Sequence, residues 1–433
     1  MQLRTSELAA AVSGRLVGPD VVVDGATQDS RAVRPGQLFV PLVAERDGHA
    51  FVAAAIEAGA GAYLTSADPL GGTAIVVADT LAALQDAGRL ARTRLPAPVV
   101  GITGSVGKTS VKDMLAAVLR QRMAVAASER SFNNEIGVPL TLLGAPDGTE
   151  AVVVEMGARG VGHIADLCSI ALPTVGIVTR VAAVHTEAFG TVDDVARAKS
   201  ELVAALPPTG TAVLNADDER VVAMRAVTSA EVVTYGTAGD VTATDIVLDE
   251  ALQGRYRLRS PWGDVDVALA VRGRHQIDNS LAAAAAALVC GVDVDAVAAG
   301  LATAALSPWR MELKRAPSGV LVLNDAYNAN PTSVAAALES LAALPARRRV
   351  AVLGVMAELG PSSDQDHAEV AERARQLGIE VLTVAAPAYG ASDVADVDAA
   401  AAELGDLGDG DAVLVKGSRV AGLERLAALL LVL

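Results

Sequence analysis

The run Val99-Val100-Gly101-Ile102-Thr103-Gly104-Ser105-Val106-Gly107-Lys108-Thr109-Ser110 carries the residue types that hold a nucleoside triphosphate. A β-branched strand runs into glycines and then into a helix. The apolar residues of that helix fall at 111, 114, 115, 118 and 119, the i, i+3, i+4 spacing of an amphipathic helix. Glycines let the backbone close around phosphate oxygens, and the helix amino end supplies free N–H groups and a partial positive charge. Gly104, Ser105, Gly107 and Ser110 would form the cradle, Lys108 would neutralise β- and γ-phosphate oxygens, and the Thr109 hydroxyl would ligate Mg²⁺. The spacing departs from the standard loop: Gly101 lies six residues before Gly107, and Ile102 stands where glycine is usual. Strand, loop, Lys-Thr pair and helix nevertheless agree on a triphosphate site.

Other residues are placed for chemistry with less to single them out. Glu155 closes an apolar strand and would hold Mg²⁺ beside the γ-phosphate, directly or through water; alternatively it is a solvated strand-end acid. His185, in Val184-His185-Thr186-Glu187, and Lys199, in Ala196-Arg197-Ala198-Lys199-Ser200, read on their own as a structural histidine and a solvated helix lysine. Asn279 heads an Ala-rich helix, where N-capping is the plain reading. The Trp309-Arg310 pair and the run Asn324-Asp325-Ala326-Tyr327-Asn328-Ala329-Asn330-Pro331 have ordinary turn composition, yet Asp325 sits at a strand end, where a ribose-contacting acid would be placed.

These residues need a scaffold, and the apolar pattern supplies one. Short runs at Val99–Thr103, Ala151–Val154, Val175–Val178, Ala212–Leu214, Val320–Leu323, Val350–Leu353, Val381–Val384 and Ala412–Val415 alternate with Ala/Leu-rich helical stretches. Continuous apolar runs of this kind suit strands buried on both faces of a parallel sheet. Several end in Glu155, Asn215, Asn324, Gly354 or Lys416, at the carboxyl ends where open α/β sheets bind ligands. Pro-bearing stretches at Leu95–Pro98 and Ala316–Gly319 divide the chain into three expected α/β domains. These are a small amino-terminal domain (1–97), a central phosphate-loop domain on a parallel sheet (98–315) and a Rossmann-like carboxy-terminal domain (316–433).

The 433 residues carry 35 Lys+Arg against 51 Asp+Glu, a formal charge of −16. A general nucleic-acid or anionic-membrane binder needs a basic footprint, so neither is expected. Apolar residues make up 52%, but the runs Leu281–Cys290 and Leu426–Leu433 fall far short of the ~20 residues that span a bilayer. The start lacks the basic and apolar regions of a signal peptide, and Cys168 and Cys290 have no metal-ligand spacing. A cytoplasmic, monomeric protein with two buried thiols is expected.

Taken together, the segments resemble the Mur ligase family over nearly the whole chain, from Asp29-Ser30-Arg31 and Gly48-His49-Ala50-Phe51 to Val415-Lys416-Gly417-Ser418-Arg419. The family's loop, T-G-[ST]-x-G-K-[ST]-[ST], accounts for the unusual glycine spacing. Ser131–Thr141 and Ala326–Pro331 resemble the branch of the family that adds D-alanyl-D-alanine. The resemblance implies an ATP-dependent acid–amine ligase that joins UDP-N-acetylmuramoyl-tripeptide to D-alanyl-D-alanine through an acyl phosphate. It makes Lys108, Glu155, His185 and Lys199 catalytic and places two Mg²⁺ ions at Thr109, Glu155, His185 and Lys199. Lys199 would be a carbamate, which turns a cation into an anionic ligand. Asn279, Arg310, Asp325 and Asn328 would contact the nucleotide, Ser30 and Arg31 the UDP-sugar, and Asn133 and Asn134 the acceptor region. The Ala316–Gly319 linker would be the hinge of a closing carboxy-terminal domain. Val106, Gln276, Asn324 and Val355 depart from the residues usual in the family. Rival readings are a ligase of another branch, a folylpolyglutamate-type enzyme, a P-loop switch or motor ATPase, and a silent nucleotide-binding paralogue.

Overall fold

The computed structural model describes residues 1–129, 132–182 and 189–432. His185 lies outside the described residues. Six parallel strands form the central sheet, in the spatial order Glu231–Tyr235, Thr211–Asn215, Val175–Val178, Val99–Thr103, Ala151–Glu155, Val125–Ala127. The strand feeding the phosphate loop is therefore interior, and register sets Glu155 opposite Ile102 and Val178 opposite Thr103. All five residues of Val99–Thr103 and of Ala151–Glu155 are buried, as the continuous apolar runs require.

One face of this sheet is covered by helices Lys108–Leu119 and His275–Val289. The Ala282–Ala287 run is fully buried there, its small side chains letting helix and sheet approach closely. An antiparallel sheet of Thr242–Leu248, Gln253–Ser260 and Gly263–Arg272 extends the same core through Tyr256, Leu258, Val267 and Leu269. This sheet is not among the expected strands. Its pattern, Gly254-Arg255-Tyr256-Arg257-Leu258-Arg259, has the period of two typical of strands with one wet face, which a search for continuous apolar runs passes over.

The other face of the central sheet is covered by helices Gly137–Gly144, His163–Ala171 and Val192–Ala204, and the amino-terminal lobe packs on the first two. That lobe is a five-stranded sheet in the order Arg15–Val17, Ala74–Val76, Ala62–Thr65, Leu38–Phe39, Ala26–Thr27. Its helix Thr80–Thr93, capped by the Asp79 carboxylate on the Leu81 and Ala82 amides, packs on helices Gly137–Gly144 and His163–Ala171. Leu8, Leu38, Leu64 and Leu84 share one cluster with Val138, Val152, Val154 and Leu167. A fully buried aliphatic side chain contributes about 1.5–3 kcal/mol, so lobe and sheet are held as one core. The Leu95–Pro98 stretch connects Thr80–Thr93 to Val99–Thr103.

The carboxy-terminal sheet runs Glu312–Arg315, Leu321–Asn324, Asp411–Lys416, Arg348–Gly354, Glu380–Val384, Ser392–Val394, parallel except for its first strand. Here one expectation is corrected. Ala316–Gly319 is not a hinge but the turn of the hairpin joining Glu312–Arg315 to Leu321–Asn324. The Ala316 amide donates to the Val320 carbonyl at 2.9 Å. Gly319 turns the chain at φ 91°, and Pro317 fits because turns tolerate a missing N–H. The chain has thus joined the last sheet by Glu312, and the connection between units lies upstream, after helix Val294–Leu301.

Candidate active site

The phosphate loop is shaped by backbone that only glycine adopts freely. Gly104 and Gly107 have φ of 146° and 88°, where a Cβ is strained. A Cβ at Gly104 would overlap Thr179 Oγ1, and one at Gly107 would overlap Asn279 Oδ1. The loop is stitched to the end of the neighbouring strand: the Ser105 amide donates to the Arg180 carbonyl (2.7 Å) and Thr179 Oγ1 donates to the Val106 carbonyl (2.6 Å). Val106 takes part through its carbonyl, so its unusual side chain leaves the cradle intact.

Helix Lys108–Leu119 begins inside this cradle. Lys108 Nζ donates to the Gly104 carbonyl at 2.7 Å. Burial pushes its pKa down, partly offset by the charge of Glu155 and reinforced by Arg310. Thr109 Oγ1 donates to Glu155 Oε2 (2.7 Å), accepts from Arg310 Nη2 (2.9 Å), and Asn133 Nδ2 donates to Glu155 Oε1 (2.9 Å). Thus Arg310, Thr109, Glu155 and Asn133, far apart in sequence, form one hydrogen-bonded chain at the sheet's carboxyl edge. Arg310 Nε is buried with no hydrogen-bond partner among the described residues, an orphan donor of the kind a phosphate oxygen satisfies.

Lys199 is carried by helix Val192–Ala204, which starts at a Thr191/Asp194 capping box and buries Val195, Ala198, Lys199, Leu202 and Val203 along one stripe. It is 3% exposed, which corrects its plain reading as a solvated lysine. Burial, with a contribution from the nearby Lys108 charge, pushes its ammonium down to about 7.

The remaining expected residues divide. Asn279 is not an N-cap, because its helix starts at His275. It lies in the second turn, donates to Gln276 Oε1 at 2.9 Å and faces Gly107. Asn134 Oδ1 accepts the Gly137 amide at 2.9 Å and shapes the start of helix Gly137–Gly144. Ser110 is buried in the phosphate-loop helix. Asp325 already uses both carboxylate oxygens, one for the Met311 amide (3.1 Å) and one for Lys416 Nζ (2.5 Å), while the Asn328 carbonyl accepts from the same Lys416 at 2.9 Å. Ser30 and Arg31 lie in the amino-terminal lobe, where Arg31 pairs bidentately with Asp29 and holds that carboxyl at about 2. Asn324 Oδ1 accepts the Ala326 amide, and the Val355 carbonyl accepts the Ser418 amide. Cys168 is buried with its thiol pushed up to about 12 by burial; Cys290, half-buried, is pushed up to about 11.

Sequence reasoning missed Tyr327, whose ring centroid lies 4.0 Å from the Arg310 guanidinium carbon, and the pairing of Lys416 with Asp325. Both act across long sequence separations, and only the polar ending of the Asp411–Lys416 strand hinted at the lysine.

Among the described residues no group of three or more His, Cys, Asp or Glu side chains is poised around a metal. The oxygens of Thr109 and Glu155, 2.7 Å apart, are nevertheless the hard donors Mg²⁺ takes when phosphate and water complete its shell.

Fold and site define an ATP-dependent ligase of the phosphate-loop class, with Arg310, beside the Rossmann-like unit, reaching the phosphate-loop helix at Thr109. The chain belongs to the Mur ligase family: the model of the Mur ligase middle domain matches residues 102–287, and that of the Mur ligase glutamate ligase domain matches 309–419. It is 40% identical to the UDP-N-acetylmuramoyl-tripeptide–D-alanyl-D-alanine ligase of Mycobacterium tuberculosis, over 92% of this chain and 90% of that protein. The crystal structure of MurF from Acinetobacter baumannii superposes with a TM-score of 0.91 at 30% identity, covering 100% of this chain and 99% of the other. MurF ligase from Thermotoga maritima in complex with ADP gives 0.83 at 29% identity over 94% and 97%.

Proposed function

We propose that the chain joins the amine of D-alanyl-D-alanine to the terminal carboxylate of UDP-N-acetylmuramoyl-tripeptide at the expense of ATP, in the cytoplasmic assembly of peptidoglycan precursors. The observation that carries the reading is the connected set Arg310–Thr109–Glu155–Asn133 beside buried Lys108, in a chain matched almost end to end by ligases of that name.

A carboxylate is a poor electrophile because its charge is spread over two oxygens. Phosphorylation removes that obstacle: the tripeptide carboxylate attacks the γ-phosphorus in line, and ADP leaves. The acceptor amine then attacks the acyl carbon, loses a proton, and expels inorganic phosphate. The first barrier is repulsion between carboxylate and triphosphate. Lys108, swinging from the Gly104 carbonyl, and Arg310, with its free Nε, supply counter-charge at the γ-end. Glu155 and Thr109 would hold Mg²⁺, which supplies further counter-charge when bound. Asn133 fixes the Glu155 carboxylate while leaving its other oxygen on Thr109.

Lys199 suits a carbamate. With its pKa near 7, a large fraction of the amine is neutral at physiological pH, and only the neutral form adds to CO₂. The resulting anion would be a hard-oxygen ligand for a second Mg²⁺, joined by His185. Asn279 and Asn328 we assign to the nucleotide, Asp325 to the ribose, Asn134 to the acceptor region, and Ser30 and Arg31 to the UDP end. The three functional units are residues 1–97, a central unit ending before Glu312, and a carboxy-terminal unit from there. Burial of the reacting groups between the last two keeps water from the acyl phosphate.

The test is phosphate release with ATP, Mg²⁺ and each peptide substrate alone and together. Release should require both, with the pentapeptide product seen by mass. ATP splitting at the same rate with neither peptide present would sink the ligase reading.

A further inference from the structure

We infer that Lys416 is a positioning residue for the phosphoryl-transfer step, holding the loop that presents Arg310 to the phosphate cradle; the inference rests on the ligase reading above. Arg310 sits on an awkward piece of chain. Its neighbours Trp309 and Met311 have φ of 62° and 51°, a left-handed conformation that non-glycine residues adopt rarely. Such backbone persists only where its surroundings hold it from several sides.

Glu312 Oε1 accepts the Trp309 amide at 2.8 Å and the Arg419 guanidinium carbon lies 4.5 Å from the Trp309 ring centroid; three further contacts come from the segment Asp325–Tyr327. The Met311 amide donates to Asp325 Oδ1 at 3.1 Å. The Tyr327 amide donates to the Trp309 carbonyl at 3.2 Å. The Tyr327 ring lies under the guanidinium, 4.0 Å from its carbon to the ring centroid. The bracket thus grips the chain on both sides of Arg310 and the side chain itself, leaving Nη2 on Thr109.

What fixes the bracket is Lys416. Its Nζ donates to Asp325 Oδ2 at 2.5 Å and to the Asn328 carbonyl at 2.9 Å, and the residue is 2% exposed. It ends the central strand Asp411–Lys416 of the carboxy-terminal sheet, flanked by Leu321–Asn324 and Arg348–Gly354, so its backbone is anchored. One cation therefore closes both ends of the segment and neutralises the carboxylate that holds Met311. Without it, Asp325 would be a largely buried anion lacking its partner, free to turn away from the Met311 amide. Arg310 would then lose its aim while the phosphate loop, built from other elements, stayed intact. No atom of Lys416 need touch substrate.

The test is a double-mutant cycle in a W262F background, which leaves Trp309 as the single tryptophan of the two in the chain. K416M should lower kcat by about tenfold or more while KM for the UDP-linked substrate changes by less than about twofold. Because Lys416 acts through Arg310, K416M added to R310A should cost less than about a further twofold. Acrylamide quenching of Trp309 should rise in K416M as the bracket loosens. An unchanged kcat in K416M, or losses in K416M and R310A that multiply independently, overturns the proposal. Should K416M fail to fold, the K416M/D325N pair removes both charges together while an amide oxygen still accepts from Met311. That pair enters the same cycle with R310A, read as kcat at saturating ATP so that the ribose contact assigned to Asp325 does not enter: a further loss below about twofold supports the proposal, and independent losses overturn it. Failure of the ligase reading is distinguishable, since it shows in the unmutated chain as phosphate release without peptides, and the quenching measurement needs neither peptide.

Discussion

The two sides of the nucleotide site are built by opposite means. The phosphate loop is one contiguous stretch whose shape comes from backbone: two glycines at positive φ, amide and carbonyl bonds to the next strand, and a helix start. The opposing side, around Arg310, is assembled from the segments near 310, 325 and 416 by an ion pair, a cation–π contact, one backbone–backbone bond and one bond from a backbone amide to a carboxylate. The first side depends on residues that cannot be changed without steric conflict. The second depends on side chains that can be weakened by degrees. A loop built from backbone should fail abruptly, and a bracket built from side chains should fail in steps.

The sharpest way to break this comparison is Gly104→Ala. The added methyl would overlap Thr179 Oγ1 at a φ hostile to alanine. Displacing the loop by an ångström should cost about a hundredfold in kcat/KM for ATP, measured by phosphate release. A loss no larger than that from changes in the bracket would remove the distinction. Next comes Lys199→Ala, expected to slow the reaction about thirtyfold and to be partly restored by formate or acetate. Its pH behaviour has a definite sign. The folded ammonium titrates near 7, far below the unfolded value; below that pH the lysine is protonated and cannot capture CO₂. Wild-type activity should therefore fall as pH drops through this region. The carboxylate-rescued variant should lose that component, and an identical profile would argue against the carbamate. The mildest is Tyr327→Leu, which keeps the backbone bond to Trp309 and removes only the ring beneath Arg310. A loss of about 1 kcal/mol, roughly fivefold in kcat, is expected, and steady-state kinetics would show it; a hundredfold loss would make the bracket as brittle as the loop.

The same contrast explains what is legible in the residues taken in order. Val99–Thr103, Val175–Val178 and the four inner strands of the carboxy-terminal sheet are legible because strands buried on both faces are continuous apolar runs, whereas its partly exposed outer strands Glu312–Arg315 and Ser392–Val394 are not. The phosphate loop is legible because its glycines, Lys108 and Thr109 are neighbours. The strand Gln253–Ser260 of the antiparallel sheet is not, since its alternating arginines and apolar residues leave no continuous run. Ala316–Gly319 has the composition of a linker, but a tight hairpin has the same composition, and only pairing across Glu312–Asn324 tells them apart. Lys199 gives no sign by itself: a lysine among Ala, Arg and Ser reads as wet, and its burial follows from the face its helix turns inward. Lys416 and Asp325 are 91 positions apart, beyond the reach of any local pattern.

The apolar cluster common to the amino-terminal lobe and the central sheet means these two units stand or fall together. A fragment starting at Pro98 would leave Pro139 and Ile170, which lie against Gly88 of helix Thr80–Thr93, facing water, and such a truncation should aggregate rather than survive as a free-standing ATPase. A core shared in this way would make the lobe and the central sheet one anvil, so that any movement of the carboxy-terminal unit would be measured against both together.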